Sequence, residues 1–140
     1  MWHIKKTNMW LIMYEVVPDT NFLIYCFKHK INFDYEIERA LNTKFKVVIL
    51  KPILDELKRL SKSLKGKEKL AINLALTKIK DYEVVDIEGY ADDVILNYAN
   101  SKNNVIVATN DKELKNKLLE NKIPVMCVRQ KKYFEVFGLI

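Results

Sequence analysis

Acidic residues with the chemistry to bind a metal ion stand at four separated places in the chain. Asp19 follows the apolar run "YEVVP", Glu56 lies in "PILDELKRL", Asp92 and Asp93 in "YADDVILNYA", and Asp111 in "VIVATNDKEL". Carboxylate oxygens without thiols or several histidines beside them suit Mg²⁺ or Mn²⁺. One such ion can activate water, and two ions about 4 Å apart can clamp the attacking and leaving oxygens of a phosphodiester. The residue types therefore point to metal-dependent phosphodiester hydrolysis.

The elements that must position these acids alternate between strands and helices. Apolar runs rich in β-branched residues predict strands at 14–17, 45–50, 82–87, 104–109 and 124–128. Amphipathic stretches predict helices from about residue 22 and at 34–42, 52–64, 67–80, 90–102 and 111–122. Helices fill the connections and short hairpin turns such as Asn-Gly are absent, so the strands run mainly parallel. The expected fold is an α/β, three-layer α/β/α sandwich around a central sheet.

Each acidic position falls where a strand gives way to a helix, or in the first turns of that helix. Ligands of open parallel sheets bind beyond the carboxyl ends of the strands, so these acids should gather at one sheet edge. Helical periodicity places Glu56 at the border of a buried face and Asp92 at the edge of another, with Asp93 on the far side of its helix. Asp92 is therefore the better ligand, and Asp93 an auxiliary residue or a cap.

A structural role explains each acid equally well when it is taken alone. Asp19 can cap a helix, the pair after Ala91 can complement a helix dipole, and "NDKE" at 110–113 resembles a capping box. Glu56 can pair with Arg59 or Lys62. Four converging carboxylates, however, repel one another and raise one another's pKa unless a cation offsets them.

The balance of charge favours a polyanionic partner. The 140 residues carry 24 Lys and Arg against 18 Asp and Glu, a formal net charge of +6. A biased genome composition explains this excess as readily, and solvated helix faces explain any single lysine. Basic residues that follow two of the acids are candidates for contact with RNA phosphates. They are Lys58, Arg59, Lys62, Lys112 and Lys115, with further lysines at 65, 67, 69 and 117.

Other classes of protein lack support in the sequence. The apolar run from Met9 is cut at Pro18, short of the roughly 20 residues of a membrane span. Neither GxGxxG nor GxxxxGK[ST] nor GxSxG is present. Cys26 and Cys127 have apolar neighbours and no CxxC spacing, which predicts buried free thiols in a reducing cytoplasm. One domain is expected over 1–140, with an N-terminal extension at 1–13 and a tail at 129–140 that forms an edge strand or a packing arm.

Four motifs in order resemble those of the PIN domain nuclease family over residues 14–128. They are "VVPDTNFLI", "ILDELKRLSK", "YADDVILNYA" and "VIVATNDKELKNKL". The chain is most similar to archaeal VapC-type ribonucleases, which also look like the rRNA-processing PIN nucleases of the small-subunit processome. By position, the resemblance implies that Asp19, Glu56, Asp92 and Asp111 are catalytic metal ligands. It makes Asp93, Thr109 and Asn21 auxiliary.

The resemblance implies a Mg²⁺- or Mn²⁺-dependent endoribonuclease with one or two ions that leaves 5′-phosphate and 3′-hydroxyl ends. It acts in the cytoplasm as a toxin with an antitoxin partner or in rRNA processing, and it forms a homodimer. The alternative is a non-catalytic RNA-binding or ribosome-assembly module with a PIN fold, in which the acids serve only as caps. A haloacid-dehalogenase-like phosphatase is weaker, because that class needs Asp two residues after Asp19, where this chain has Asn21.

Overall fold

Strands and helices alternate along the computed structural model, which describes residues 13–139. The proposed N-terminal extension therefore lies outside the described residues except for Met13. The strands are β1 (Tyr14–Pro18), β2 (Phe45–Leu50), β3 (Glu83–Val85), β4 (Val105–Ala108), β5 (Val125–Arg129) and β6 (Tyr133–Phe137). Strand β3 is shorter than the predicted 82–87, because only three of its residues pair with β2.

The helices fill the connections between the parallel strands, as predicted. They are α1 (Thr20–Lys28), α2 (Phe33–Leu41), α3 (Lys51–Ser63), α4 (Gly66–Ile79), α5 (Ala91–Asn100) and α6 (Lys112–Glu120). Pro52 lies in the first turn of α3, where its missing N–H would have no helical partner. None of the helices described over 13–139 has the length and apolar character needed to cross a membrane.

The six strands form one sheet in the order β3-β2-β1-β4-β5-β6, with helices on both faces. All neighbouring pairs are parallel except β5 and β6. The predicted α/β fold with a mainly parallel sheet is confirmed. The chain first runs outward from β1 to β3 and then returns to the other side of β1 as β4. This reversal creates a crevice at the carboxyl ends of β1 and β4, where ligands bind in open α/β sheets.

The core consists of the continuously apolar central strands and the inner faces of the helices. Residues 47–50 of β2 and 105–108 of β4 are buried throughout, as expected for parallel strands covered on both faces. On α3, Ile53 and Leu57 are buried while the outward positions are charged. Cys26 and Cys127 are buried free thiols, as predicted.

The C-terminal tail is the antiparallel edge strand β6, one of the two alternatives that its sequence left open. Two side chains of α2 cover the outer edge of this strand. The Phe134 N–H donates to Glu36 Oε1 over 3.0 Å, and Arg39 Nη2 donates to the Phe134 carbonyl over 2.6 Å. Because these side chains occupy backbone groups that another strand would use, they protect this edge of the sheet.

A buried glutamate connects helix α5 to the centre of the sheet. Glu15 on β1 accepts a short hydrogen bond from the Tyr98 hydroxyl and one of 2.8 Å from Lys102 Nζ. Burial disfavours the Glu15 carboxylate, but these two donors and the Lys102 charge outweigh it and lower its pKa. Since Asp92 lies at the other end of α5, this contact helps to fix where that aspartate lies.

Candidate active site

Asp19 lies directly beyond the carboxyl end of β1, and its backbone continues the pairing with β4. Its N–H donates to the Ala108 carbonyl over 3.0 Å, and its side chain caps α1 by accepting from the Phe22 N–H over 2.7 Å. The cap occupies Oδ1. The second oxygen, Oδ2, accepts a short hydrogen bond from the Thr109 hydroxyl. The capping role proposed from the sequence is therefore real, and it uses only one of the two carboxylate oxygens.

Thr109 links the first acidic motif to the last. Its side chain is fully buried, and its Oγ1 accepts the Asp111 N–H over 3.1 Å while its hydroxyl donates to Asp19. Its own N–H continues the sheet by donating to the Met126 carbonyl over 2.9 Å. The auxiliary position named from the sequence therefore holds the segments after β1 and β4 together at the crevice.

Asp111 caps α6, so the helix cap lies one residue later than the motif "NDKE" implies. Its Oδ1 accepts from the Glu113 and Leu114 N–H groups over 2.9 and 3.2 Å. Asn110 instead accepts the Val128 N–H over 2.8 Å and so bonds the turn to β5. The capping-box interpretation was wrong because this sheet contact takes the Asn110 side chain away from the helix.

Asp92 and Asp93 both lie in the first turn of α5 and line a narrow cleft of about 80 Å³ with Asp111 and Lys117. The helical wheel had placed Asp93 on the far side of the helix, and the structure corrects this. The cleft lies against the start of the helix, where side chains from neighbouring positions point towards the N-terminus and can reach one space. The structure therefore brings three of the predicted carboxylates together here.

Glu56 lies at the periphery of this cluster. Its side chain is 35% exposed, on the border of the buried face of α3 as predicted, and its Oε2 is 3.4 Å from Arg59 Nη2. It does not line the cleft, but its negative charge contributes to the raised pKa of Asp92. Glu56 therefore forms the ion pair with Arg59 that was expected from the sequence, and it also repels the charge of Asp92.

The electrostatics of the site follow from burial and from the mutual repulsion of the acids. The pKa of Asp19 is raised from 3.8 to about 6, chiefly by burial and in part by the charges of Asp92 and Asp111. The hydrogen bonds from Thr109 and Phe22 oppose this shift. The pKa of Asp92 is also raised, by burial and then by the charge of Asp111. These carboxylates are close enough to destabilise one another's charge.

Lys117 also lies at this site, although it was not among the five basic residues named as candidates for contact with RNA. It lines the cleft, and its charge lowers the pKa of Asp92. The signal in the sequence was its place three residues after Leu114, which makes the two side chains neighbours on the surface of α6. Lys115 was one of those five, but its Nζ lies 3.5 Å from the centre of the Phe137 ring. The other predicted RNA contacts are exposed on α3 and α6: Lys58, Arg59, Lys62 and Lys112.

The donors at this site fit a hard divalent cation. They are carboxylate oxygens, and their repulsion is of the kind that a cation relieves. Among residues 13–139, no three or more His, Cys, Asp or Glu side chains form a group that could hold a metal ion as they stand. Mg²⁺ keeps several water molecules and needs only one or two direct carboxylate ligands, so the chemistry of the donors remains suitable. Asn21, the remaining auxiliary candidate, is exposed in the first turn of α1.

Comparison with known proteins assigns the family. A family model described as "PIN like domain" matches residues 16–131. The chain belongs to the PIN domain family. The matched range of this PIN domain contains all four acidic motifs and ends before β6. The family resemblance seen in the four motifs is therefore confirmed.

Relatives of this PIN domain include two archaeal proteins named as ribonucleases. The protein named Ribonuclease VapC4 from Methanocaldococcus jannaschii is 74% identical over 131 residues, which cover 91% of this chain and 100% of that protein. The protein named Ribonuclease VapC9 from Archaeoglobus fulgidus is 35% identical over 116 residues, which cover 83% of this chain and 84% of that protein.

Two solved structures are similar to the PIN domain in fold. The PIN domain endonuclease Utp24 has a TM-score of 0.74 at 27% identity, with 91% of this chain and 93% of that chain covered. A chain of VapBC2 from Rickettsia felis, solved bound to a DNA fragment from its promoter, has a TM-score of 0.59 at 19% identity. The match covers 81% of this chain and 98% of that chain, and it supports the fold alone.

Proposed function

We propose that this PIN domain is an endoribonuclease that hydrolyses RNA phosphodiesters with Mg²⁺ or Mn²⁺ and leaves 5′-phosphate and 3′-hydroxyl ends. The observation that carries the proposal is the coupling of Asp19, Asp92 and Asp111. These residues come from three different elements that the fold brings to the β1/β4 crevice. The names of the two archaeal relatives, both ribonucleases, agree with this chemistry.

The chain's own residues prepare the site for such a cofactor. Asp19, Asp92 and Asp111 would hold the cation, with Glu56 as the fourth acid of the set. When bound, a divalent ion supplies an activated water molecule and offsets charge on the phosphodiester. The Phe22 N–H and the Thr109 hydroxyl orient Asp19 before any ligand arrives. With a pKa of about 6, Asp19 is mostly ionised at pH 7 and above.

The basic side chains on α3 and α6 supply the contact with RNA. Lys58, Lys62 and Lys112 are exposed, and Arg59 gives up only a weak surface pair with Glu56 when a phosphate approaches. Phosphate contacts of this kind bind RNA without reading its sequence.

Cleavage of a labelled RNA in the presence of Mn²⁺, with EDTA as the blank, tests the proposal. The Asp92→Asn variant should lose cleavage, because it removes a ligand charge while keeping the shape of the side chain. The matched control is Asp81→Asn, between α4 and β3, whose carboxylate is exposed and 3.7 Å from Lys78 Nζ, and it should cleave like the unmodified protein.

Two results would contradict the proposal. One is that the unmodified protein binds RNA but does not cut it with Mn²⁺ or Mg²⁺, which would favour the RNA-binding module instead. The other is that Asp92→Asn cuts RNA as fast as Asp81→Asn does.

The relatives also support a biological setting. We assign the PIN domain a toxin-type role in the cytoplasm with an antitoxin protein as its partner, because both archaeal relatives carry the name VapC. Growth arrest on expression, relieved by a protein encoded beside it, would bear this out, whereas rRNA-processing defects without growth relief would point to a role in rRNA maturation. The expected homodimer is measurable by light scattering.

A further inference from the structure

The side chain of Tyr90 stands in solvent at the start of α5, the helix that carries Asp92 and Asp93 of the acidic cleft. It is 85% exposed, against 59% for Tyr35, the other tyrosine among the exposed large side chains described in residues 13–139. Tyr90 is the N-cap residue of α5, and its carbonyl accepts the Val94 N–H over 2.9 Å. Asp92 is two residues further on, so the two Cα atoms lie within about 7 Å. The backbone of Tyr90 is thus part of the helix start while its ring is free to contact a ligand.

The turn before Tyr90 is held in one conformation. Gly89 has φ +134°, a region that side-chain-bearing residues rarely adopt. A Cβ at this position would lie 2.7 Å from Cγ2 of Val94, which is itself buried. Because the turn packs this closely on the first turn of α5, the direction in which Tyr90 leaves the backbone is set by the fold.

Along the chain, Tyr90 lies between Gly89, which lines a second and larger cleft, and Asp92, which lines the acidic cleft. This second cleft of about 330 Å³ lies between the start of α3 and the segment 87–89 that precedes Tyr90. Two basic and two acidic side chains line it: Lys51 and Arg59, with Asp55 and Glu88. Lys51 lies 3.2 Å from Asp55, and Arg59 lies 3.4 Å from Glu56. Exposed pairs of this kind contribute little, so an incoming phosphate can replace the carboxylates.

Tyr90 thus combines an exposed ring with chain neighbours that line both an acidic cleft and a cleft containing Lys51 and Arg59. Proteins bind single-stranded nucleic acid with such rings, on which bases stack, together with cations that contact the backbone. In duplex RNA the bases are stacked on one another and cannot lie on a protein ring. We propose that Tyr90 is a stacking platform for an unpaired base beside the scissile phosphate. This inference rests on the proposed ribonuclease function.

Binding without cleavage separates this role from catalysis. We would measure the affinity of a short single-stranded RNA containing the fluorescent base 2-aminopurine in EDTA, for the unmodified protein, Tyr90→Ala, Tyr90→Phe and the control Tyr35→Ala. Tyr90→Ala should weaken binding by about 5- to 150-fold, the range found when a stacking ring is removed. Tyr90→Phe should keep the affinity and the quenching of the stacked base, and Tyr35→Ala should match the unmodified protein.

Cleavage in Mn²⁺ supplies the second measurement. Tyr90→Ala should raise KM for the single strand and leave the melting temperature unchanged, and a duplex of the same sequence should be a poor substrate for every variant. If Tyr90→Ala and Tyr35→Ala bind the single strand equally well, or if the duplex is cut as fast as the single strand, the stacking proposal is wrong. It is equally wrong if the change at Tyr90 abolishes only self-association or binding of a protein partner.

The two proposals fail in different ways. If the unmodified protein cuts no RNA, the ribonuclease function is lost, and the fluorescence in EDTA still reports whether a base stacks on Tyr90. If the protein cuts RNA and Tyr90→Ala behaves like the unmodified protein in both assays, only the stacking platform is refuted.

Discussion

Replacing Asp19 with Asn should stabilise the protein while it abolishes cleavage. Asn has nearly the same shape, and its Oδ1 can still accept the Phe22 N–H, so the cap on α1 survives. The change removes a negative charge that is half-buried and that lies within reach of the charges of Asp92 and Asp111. We therefore expect a gain in the free energy of unfolding at neutral pH when no divalent ion is present.

The size of the gain follows from the pKa of Asp19. A pKa raised from 3.8 to about 6 means that ionisation costs about 3 kcal/mol more in the folded protein than in the unfolded chain. The folded state then holds the proton more tightly. The penalty is absent below pH 3.8, grows as pH rises towards 6, and is complete above it. Partial exposure and the Thr109 hydroxyl, which must turn to accept from the Asn amide, make about 3 kcal/mol an upper bound.

Chemical denaturation in EDTA between pH 4 and pH 8 measures this difference directly. Asp19→Asn and the unmodified protein should converge near pH 4 and differ by up to about 3 kcal/mol at pH 7.5, or about 6–12 °C in melting temperature. Asp81→Asn, at an exposed position outside the acidic cleft, should stay within about 0.5 kcal/mol of the unmodified protein. Saturation with Mn²⁺ at about 100 times its Kd should add about 2.7 kcal/mol to the unmodified protein alone. Equal stability of the two proteins at pH 7.5 would refute the reasoning.

Two further changes test the contacts that orient the site. Thr109→Val removes the hydroxyl that lowers the pKa of Asp19, so the acid limb of the pH–rate profile in Mn²⁺ should move to higher pH, and Thr109→Ser should restore it. Glu15→Gln removes the charge that Tyr98 and Lys102 satisfy, and denaturation at pH 7 should show a loss of about 1–3 kcal/mol. Because the folded pKa of Glu15 is lowered, this advantage should disappear as pH falls below 4.5, and a difference that persists there would contradict the assignment.

The fold was predictable because its signals are local and repeated. Short runs of β-branched apolar residues such as 47–50 and 105–108 predict strands covered on both faces, and the helical stretches between them indicate that the strands are parallel. The positions of Asp19 and Asp111 followed from the same logic, since a residue after a parallel strand lies at the carboxyl edge of the sheet. Their roles as ligands, and that of Glu56, stay predictions. So does the single-domain boundary over 1–140.

What the sequence could not supply are contacts between distant segments. The sequence around Asn110 does not show that its side chain accepts a hydrogen bond from the Val128 N–H, so the helix cap was assigned one residue too early. A helical wheel cannot represent a cleft that lies against the start of a helix, so Asp93 was placed on the wrong side. Lys115 lies over the ring of Phe137, and only the tertiary structure shows that Lys117 is the lysine that lines the acidic cleft.

Capping and catalysis, which the sequence presents as rival explanations for the same aspartates, are compatible at this site. Asp19 and Asp111 each give Oδ1 to the N–H groups of the helix that follows, and this fixes the side chain on a rigid element. The cap determines where the second oxygen lies, and the buried Thr109 hydroxyl bonds that oxygen of Asp19. Burying and clustering these charges lowers stability, as the raised pKa of Asp19 indicates, and that loss is what a bound cation would reverse. If the caps served stability alone, Asn at position 19 would cap α1 as well without the cost of burying a charge, so the presence of Asp there argues for a ligand.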